Sequence, residues 1–351
     1  MMTAQAKTIA VVGSTPFAWF LAGLLATDHS RAVVLVTNPC PPGHEATLPS
    51  LSVAPLTRPE TLSLLVKYGP GAARQTNRIA RGAAGRGDLA LTAHGAASGA
   101  ALSHIRHMLA GFGRVVEPLG APAGTTRVRV RDVWQFHAAP FLAAAPAWLA
   151  GANAAMVNAA SGLKLRKDGS ASFGATPVDL VVLADDAAIV SRLAEAEVAA
   201  FAARVAHLDI ATEPVAPLAT PSIIDLDGGA QLAQDASGRL IGSAQDSDGR
   251  GLARITAALP EGVATRLAAR GRSTRLLPHD GAPVLGPTRK NRLYVVAGLG
   301  RCDMALAPLV ARLIVGKATP AEAEWAAAHG AELRQPRANV ADFAPEWAGA
   351  A

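Results

Sequence analysis

Two short apolar runs, separated by a helical pattern, open the chain. Residues 8–12 form the first run, a helical pattern covers about residues 17–27, and Val33–Val36 forms the second run. Continuous apolar runs of this length, bounded by turn residues, are typical of buried parallel strands. The order of strand, turn, helix and strand predicts a β-α-β unit, in which a parallel sheet places a nucleotide at the first turn.

The middle of the chain mixes helical and strand patterns. Helices are predicted at about residues 59–68, 71–84, 98–112 and 132–150. Strands are predicted at Val115–Leu119 and Thr126–Val130, and a meander at Ala154–Val157, Gly162–Arg166 and Ser170–Phe173. Prolines and polar residues interrupt the long apolar stretch Phe136–Val157. We therefore interpret this stretch as a buried helix rather than a transmembrane segment.

The second half of the chain begins with another buried strand pattern. Val178–Ala184 is a continuous apolar run, which predicts a parallel strand. Helical patterns follow at residues 190–203, and residues 204–249 alternate between apolar and polar positions with turns between them. This alternation predicts an antiparallel sheet. Residues 251–270 are predicted to be helical, and the chain then returns through a strand and a Gly-x-Gly loop to a helix at about Met304–Ile314.

Composition narrows the possible classes of protein. The 351 residues predict roughly two domains, and an apolar content of 50% excludes a disordered chain. The net charge of +6 favours acidic ligands or an anionic surface, but arginines scattered through the chain as a feature of its composition are the preferred explanation. The basic stretch Arg74–Arg86 contains no aromatic residue, so we expect no nucleic acid as a partner.

Cysteine usage bears on the compartment. Cys40 and Cys302 are the two cysteines, too few for a disulfide framework or a thiolate metal cluster. A reducing compartment is therefore expected. We predict a cytoplasmic protein without a transmembrane segment, and peripheral contact with the inner membrane stays open.

The first turn departs from the usual dinucleotide-binding pattern. That pattern needs small residues for a tight turn, for close approach of the backbone to a pyrophosphate, and for contact between helix and strand. Gly13 fills the first place, Ser14 follows it, and Ala18 can fill the last place. Thr15 stands where the second glycine is needed, and Pro16 removes an N–H donor from the helix start. An ordinary β-α turn without a ligand is the alternative.

Two other strand ends carry unexpected polar residues. A carboxylate normally follows the second strand and binds the ribose hydroxyls, but Thr37 and Asn38 stand there and would bind a ribose more weakly. After Ala184, the next buried strand ends in Asp185 and Asp186. These carboxylates would repel a pyrophosphate by like charge. They could instead cap the helix that follows.

The return segment carries the most specific pattern in the chain. It reads Pro-x-Asp-Gly-x-Pro-x-x-Gly-Pro at residues 278–287, then a strand, then the loop Gly298, Leu299 and Gly300 before a helix. This segment resembles the flavin-contacting segment of the D-amino-acid-oxidase-like FAD oxidoreductases, of the glycine and sarcosine oxidase type. The helix N-terminus would face the flavin ring or its ribityl chain. Asp303 stands near a position where the family usually has another glycine, and an acid there is unfavourable beside an anionic reduced flavin.

The resemblance covers most of the chain and implies its fold and domains. It implies an α/β fold, with a Rossmann-like FAD-binding domain that has a parallel sheet, and a smaller antiparallel-sheet substrate domain. The FAD-binding-like domain is expected at residues 1–60, 150–200 and 285–351, and the helical and antiparallel substrate domain at residues 61–149 and 201–284. The implied FAD contacts are Gly13, Ser14, Thr15, Ala18, Thr37, Asn38, Ala184, Gly298, Leu299, Gly300, Arg301 and Cys302.

The resemblance also implies an activity, with one competing interpretation. Family members oxidise amines, amino acids or related small molecules by hydride transfer to the flavin. However, the departures from the family pattern are concentrated at the cofactor contacts Thr15, Thr37, Asp185 and Asp303. The alternative is a non-catalytic or flavin-free chain that acts as the partner subunit of an oxidoreductase complex.

The catalytic residues are not identified by the sequence. Arg250 and Arg275 are plausible partners for a substrate carboxylate, and exposed surface arginines are the alternative. Candidate bases, by chemistry alone, are His104, His107, His137 and His279. His104 and His107 lack a third ligand nearby, so no metal site is predicted.

Overall fold

The computed structural model of the protein describes residues 8–37, 47–152, 154–158, 162–166, 171–260, 262–288 and 293–331. The described helices are α1 (Pro16–Thr27), α2 (Pro59–Ile79), α3 (Ala96–Gly111), α4 (Ala138–Ala150), α5 (Asp186–Arg192), α6 (Glu195–Val198), α7 (Gly251–Ala257), α8 (Asp303–Ile314) and α9 (Pro320–Ala328). The described strands are β1 (Thr8–Val12), β2 (Ala32–Thr37), β3 (Ser50–Leu51), β4 (Ala84–Ala93), β5 (Val116–Pro118), β6 (Thr126–Phe136), β7 (Ala154–Asn158), β8 (Leu163–Leu165), β9 (Ala171–Phe173), β10 (Thr176–Val178), β11 (Leu180–Leu183), β12 (Ala202–Pro214), β13 (Ser222–Asp225), β14 (Gln231–Gln234), β15 (Arg239–Gln245), β16 (Leu267–Pro278), β17 (Val284–Pro287) and β18 (Tyr294–Ala297).

The first sheet is largely parallel. Within the described residues its strand order is β17-β18-β11-β1-β2-β7. Strand β1 lies between β2 and β11 and runs parallel to both, while β17 pairs antiparallel with β18 at the edge. The β-α-β unit predicted from the two apolar runs is confirmed as β1, α1 and β2. The carboxyl ends of β1, β2 and β11 therefore lie side by side, and this is the edge where such sheets bind ligands.

A second, mostly antiparallel sheet completes the architecture. Within the described residues its order is β16-β12-β15-β14-β13-β4-β6-β3, with β5 also paired to β6. Strand β13 is an exception, because it runs parallel to β4. Strands β8, β9 and β10 form a small antiparallel sheet of their own. The α/β fold class predicted from the sequence is confirmed.

Helix α1 is held in place by close packing on several sides. Its side chains from Phe17 to Ala26 are nearly all buried, and it packs against α4 and α8. Phe20 meets the ring of Phe141 edge to face, with ring centroids 5.8 Å apart. A Cβ on Gly23 would lie 2.0 Å from the Trp148 ring, so only glycine allows α4 this close. This packing fixes the position of the first turn.

Two predictions for the first half of the chain are wrong. The helices predicted at residues 59–68 and 71–84 are one helix, α2, which includes Pro70 and ends at Ile79. Ala84 begins strand β4, which pairs with β6 and β13. Strand β6 likewise extends to Phe136, so the helix predicted at residues 132–150 begins only at Ala138. Pairing between strands that are distant in the sequence overrides local helix propensity here.

Other element predictions need correction further along. Ala154–Asn158 does not belong to a meander, because β7 pairs parallel with β2 in the first sheet. The helix predicted at residues 190–203 is two short helices, followed by β12 from Ala202. The helix predicted at residues 251–270 ends at Ala257, and strand β16 begins at Leu267. In the part of the chain that the structure describes, no helix has both the length and the apolar character needed to cross a membrane.

Candidate functional site

The first turn is a tight connection between β1 and α1. The Gly13 N–H donates to the carbonyl oxygen of Val36 at 3.0 Å. A Cβ on Gly13 would lie 2.8 Å from the Ala18 Cβ and 2.9 Å from a carboxylate oxygen of Asp185. Gly13 and Ala18 are therefore both small because helix, strand and turn meet there, as the motif requires.

The helix start that follows offers few free donors. Thr15 is the N-cap residue of α1, and its Oγ1 accepts a hydrogen bond from the Ala18 N–H at 3.3 Å. Pro16 occupies the first helical position and has no N–H. Thr15 therefore satisfies one of the donors that a phosphate at a helix N-terminus would use.

Asp185 connects the ends of two neighbouring parallel strands. Its Oδ2 accepts a hydrogen bond from the Ser14 N–H at 2.6 Å, and its Oδ1 accepts one from the Ala188 N–H at 2.7 Å. The predicted helix cap is confirmed, since Asp185 is the N-cap residue of α5. The same carboxylate also takes a backbone donor of the first turn, which the sequence did not predict. An anion supplied by the protein thus occupies the turn where the pattern predicted a phosphate.

The end of β2 also faces the first turn. The Thr37 hydroxyl donates to the Ser14 Oγ at 3.1 Å. Asn38, the other predicted ribose contact, lies outside the described residues. Ala184, at the end of β11, is buried, and its N–H donates to the carbonyl oxygen of Val12 at 2.9 Å. Ser14, Thr37 and Ala184 therefore lie at the same sheet edge, as their positions in the sequence indicated.

The return segment has the predicted order of strand, glycine loop and helix. Strand β18 ends at Ala297, and Gly298 has a φ of +66°, a conformation that favours glycine. A Cβ on Gly298 would lie 2.4 Å from the Pro278 ring, so the loop packs directly on the preceding turn. A single 3-10 turn, Gly300–Cys302, then leads into α8. Leu299 and Cys302 are buried.

Asp303 occupies the start of α8. Its carboxylate accepts hydrogen bonds from the Met304 N–H, at 2.6 Å, and from the Ser50 hydroxyl of β3. Burial raises the pKa of Asp303 to about 6, against the opposing effect of these hydrogen bonds. The sequence placed Asp303 at the flavin loop but missed Ser50, because nothing local links two residues so far apart in the chain. The helix N-terminus that was expected to face a flavin is thus partly occupied by its own acid.

Arg301 is a buried cation with unsatisfied donors. Its side chain is only 8% exposed, and its Nε donates to the Pro49 carbonyl oxygen at 2.9 Å. The Nη1 and Nη2 atoms are buried and have no hydrogen-bond partner among the described residues. Burial lowers the pKa of Arg301 to about 9, and the positive charge of Arg275 adds to this effect. A buried, unpaired guanidinium is costly unless an anion binds to it.

Arg275, by contrast, is already neutralised. Its Nη2 lies 3.1 Å from the Asp209 carboxylate and donates to the Ser243 Oγ at 2.9 Å. Ser273 donates to the other oxygen of Asp209 at 2.6 Å. Burial lowers the pKa of the neighbouring His207 to about 3, so its ring is neutral at physiological pH. Arg301 is therefore the cation in this region whose terminal nitrogens stay unpaired in the described part of the chain.

The remaining candidates lie outside this region or make ordinary structural contacts. Arg250 is an exposed residue at the start of α7. His279 contacts the Ala199 carbonyl oxygen at 2.9 Å, and His104 contacts the Thr57 carbonyl oxygen at 3.2 Å. In the described residues, no group of three or more His, Cys, Asp or Glu side chains forms a possible metal site.

The chain shares its fold with solved oxidases and dehydrogenases of amino acids and related amines, so the resemblance stated from the sequence is confirmed at the level of the fold. The chain is similar to glycine oxidase from Geobacillus kaustophilus, with a TM-score of 0.68, 17% identity, and coverage of 90% of this chain and 96% of that one. It is similar to L-proline dehydrogenase from P. horikoshii, with a TM-score of 0.69, 12% identity, and coverage of 92% and 97%. It is also similar to fructosamine oxidase from Aspergillus fumigatus, with a TM-score of 0.71, 12% identity, and coverage of 97% and 94%. No protein-family model and no curated protein matches the sequence.

The residues at the first turn do not fit the dinucleotide that this fold implies. A pyrophosphate needs backbone donors at the first turn and helix start. The Ser14 N–H is bound to Asp185, the Ala18 N–H is bound to Thr15, and Pro16 has none. A bound pyrophosphate would also meet the Asp185 carboxylate at close range. Arg301, in contrast, is a buried cation whose terminal nitrogens have no hydrogen-bond partner among the described residues.

Proposed function

We propose that this chain is a flavin-free, non-catalytic member of the oxidoreductase fold, which acts as the partner subunit of an oxidoreductase complex. The observation that carries this proposal is the hydrogen bond between the Asp185 carboxylate and the Ser14 N–H, at 2.6 Å. The carboxylate replaces the phosphate as the anion at this turn. Without a flavin the fold has no redox group, because the protein contributes orientation and electrostatics while the cofactor supplies the chemistry.

Electrostatics make this replacement a strong barrier to FAD. Two unit charges about 4 Å apart repel by about 4 kcal/mol near a protein surface, which corresponds to about a thousandfold in affinity. Moving Asp185 aside would relieve the repulsion, but it would remove the cap of α5, which typically contributes about 1 kcal/mol. Either route weakens FAD binding.

Asp303 adds a second, independent barrier. Its carboxylate accepts the Met304 N–H in the first turn of α8, where a flavin would need a donor. With a pKa of about 6, Asp303 is mostly ionised at neutral pH. A negative charge there opposes the build-up of negative charge on a reduced flavin.

The visible absorption spectrum of the purified full-length protein tests the proposal. We expect a colourless protein that takes up no FAD during dialysis against an excess of the cofactor. We also expect it to co-purify with a second, yellow oxidoreductase chain when isolated at its natural abundance. A yellow protein with FAD bound in a one-to-one ratio would overturn the proposal.

Arg301 favours a second candidate function, an FAD-dependent oxidoreductase that oxidises an amine, an amino acid or a related small molecule by hydride transfer to the flavin. A buried guanidinium with two unpaired nitrogens suits the carboxylate of an amino acid. In this case the protein would be yellow, and an amino acid would bleach its flavin absorbance in the absence of oxygen. Arg301→Met would then raise KM strongly, while the flavin content would stay unchanged.

A further inference from the structure

Strand β16 forms an exposed edge of the second sheet. It pairs with β12 along its length and lies at the end of the strand order. Its first six residues, 267–272, are all exposed, and so is Thr274. Long exposed edges are uncommon, because their free backbone groups can pair with another chain.

The free backbone groups of this edge can be assigned from the register. In an antiparallel pair, the N–H and C=O groups of alternate residues turn away from the partner strand. The Leu276 N–H turns away from β12 and donates to the Asp186 carboxylate at 3.0 Å. The register with β12 is regular from Ala269 to Pro278, so the other even-numbered residues, Arg270, Arg272 and Thr274, also turn these groups outward. No other described strand pairs with them.

The edge is basic on one face of the sheet. Arg270 and Arg272 are two residues apart in the strand and so project from the same face. Arg272 lies 3.0 Å from the Asp246 carboxylate, whereas no carboxylate of the described residues forms an ion pair with Arg270. Arg266, just before the strand, is exposed but lies 3.5 Å from the Glu213 carboxylate, so Arg270 is the arginine of this edge without an ion pair among the described residues. The edge therefore presents positive charge beside free backbone donors and acceptors.

An apolar groove lies beside the β16 edge, on the face of the sheet that carries Arg270 and Arg272. It has a volume of about 510 Å³, and Leu208 and Ile210 of β12 contribute to its lining. Leu252 and Leu267 border the groove, and their side chains are 41% and 40% exposed. Large apolar side chains left this exposed beside a groove mark an interaction surface more often than an ordinary monomer surface.

We propose that the β16 edge binds an extended, acidic segment of a partner protein, which adds to the sheet as a further strand. This inference rests on the proposed function as a partner subunit, and it names the chemistry of the partner. Main-chain hydrogen bonds hold such a segment, and side chains set its specificity. Because Arg270 and Arg272 share a face with the groove, the partner carries acidic residues at every second position on that face. The residues between them project to the opposite face, beside Ala269, Gly271 and Ser273, and are small or apolar.

Charge argues against a second copy of this chain as the occupant. Pairing two β16 edges would bring the arginines of one strand opposite or diagonal to those of the other. Like charges in such positions are destabilising. An acidic segment instead gains cross-strand ion pairs and complements a chain of net charge +6.

A labelled peptide of about ten residues, alternating valine and glutamate, tests the proposal by fluorescence anisotropy on the full-length protein. We expect saturable binding that weakens as salt is added, because exposed charge pairs are screened. We expect Arg270→Glu to weaken binding about tenfold. Arg74→Glu, an equal charge change at an exposed position on α2, is the matched control and leaves binding unchanged.

A backbone variant separates strand addition from simple charge attraction. Thr274→Pro removes one outward N–H without breaking the pairing with β12, and Pro278 already occupies an outward position of the same strand. We expect this variant to bind the peptide less tightly, and peptide binding to protect the amides of residues 270, 272 and 274 from hydrogen exchange. Should Thr274→Pro fail to fold, Arg270→Glu and the exchange measurement still decide the question.

The outcomes distinguish this inference from the proposed function. Absence of saturable binding, or equal binding of a peptide with lysine in place of glutamate, would show that the arginines only protect the edge from aggregation. Formation of dimers through β16 would also overturn the proposal. The visible spectrum of the same sample reports independently on flavin, so a yellow protein that binds the peptide rejects the proposed function and keeps the docking surface.

Discussion

The Asp185 carboxylate and the Ser14 N–H lie 2.6 Å apart, although 171 residues separate them in the chain. The bond forms because β11 and β1 are adjacent parallel strands, so the turns after them meet at one sheet edge. A dinucleotide would bind at this edge in a working flavoenzyme. The pair therefore decides whether the first turn is open to a phosphate or closed by the protein itself.

Removing this carboxylate is expected to destabilise the fold. Asp185→Ala removes the cap of α5 and leaves the Ser14 N–H without its acceptor, so we expect the free energy of unfolding to fall by roughly 1–3 kcal/mol. Urea denaturation measures this loss. Asp185→Asn keeps one acceptor oxygen, which can cap the helix at the Ala188 N–H, but its amide nitrogen cannot accept the Ser14 N–H, so we expect a stability between those of the wild type and Asp185→Ala. Equal stability of the wild type and Asp185→Ala would contradict the role assigned to this contact.

Arg301 is expected to bind small carboxylates even without a flavin. Its unpaired Nη1 and Nη2 atoms gain charge-assisted hydrogen bonds from an anion such as acetate or glycine. A ligand that binds only the folded state raises Tm as its concentration increases. We therefore expect millimolar carboxylate, compared with chloride at equal ionic strength, to raise the Tm of the wild type. Arg301→Met should abolish this rise, and an unchanged rise in that variant would place the anion elsewhere.

The pH dependence of stability should carry a signature of Asp303. Its folded-state pKa of about 6 lies above the usual value of 3.8, so the folded state binds more protons than the unfolded state between these pH values. The contribution of Asp303 to stability therefore rises as the pH falls from about 7 to about 4. We expect the difference in unfolding free energy between the wild type and Asp303→Asn to shift in favour of the wild type over this range. A difference that is independent of pH would reject the raised pKa.

The β-α-β unit and the return segment could be predicted because their signals are local. Buried parallel strands leave continuous apolar runs, as in β1 and β2, and the glycine loop leaves Gly298 and Gly300 at fixed spacing. Strand β4 could not be predicted in the same way. Its identity depends on pairing with β6 and β13, and its residues on their own favour a helix as much as a strand.

The candidate site was predictable only in part. Asp185 and Asp303 could be identified from the sequence, because each is an acid at a position where the family pattern has a small residue. It could not identify their partners Ser14 and Ser50, since these contacts follow from the order of strands in the sheet. The unpaired nitrogens of Arg301 were likewise invisible, because burial and the lack of a partner are properties of the folded chain. The domain limits and the full set of FAD contacts stay predictions.

A titration with FAD tests the central claim most directly. Isothermal titration calorimetry compares the wild type with the double variant Asp185→Ser/Asp303→Gly, in which serine keeps a helix cap and both carboxylates are gone. We expect no measurable heat of FAD binding for the wild type, and an affinity at least about a hundredfold higher for the double variant. Circular dichroism checks that both proteins are folded. Tight, stoichiometric FAD binding by the wild type would contradict the account, because it would show that Asp185 does not close the first turn.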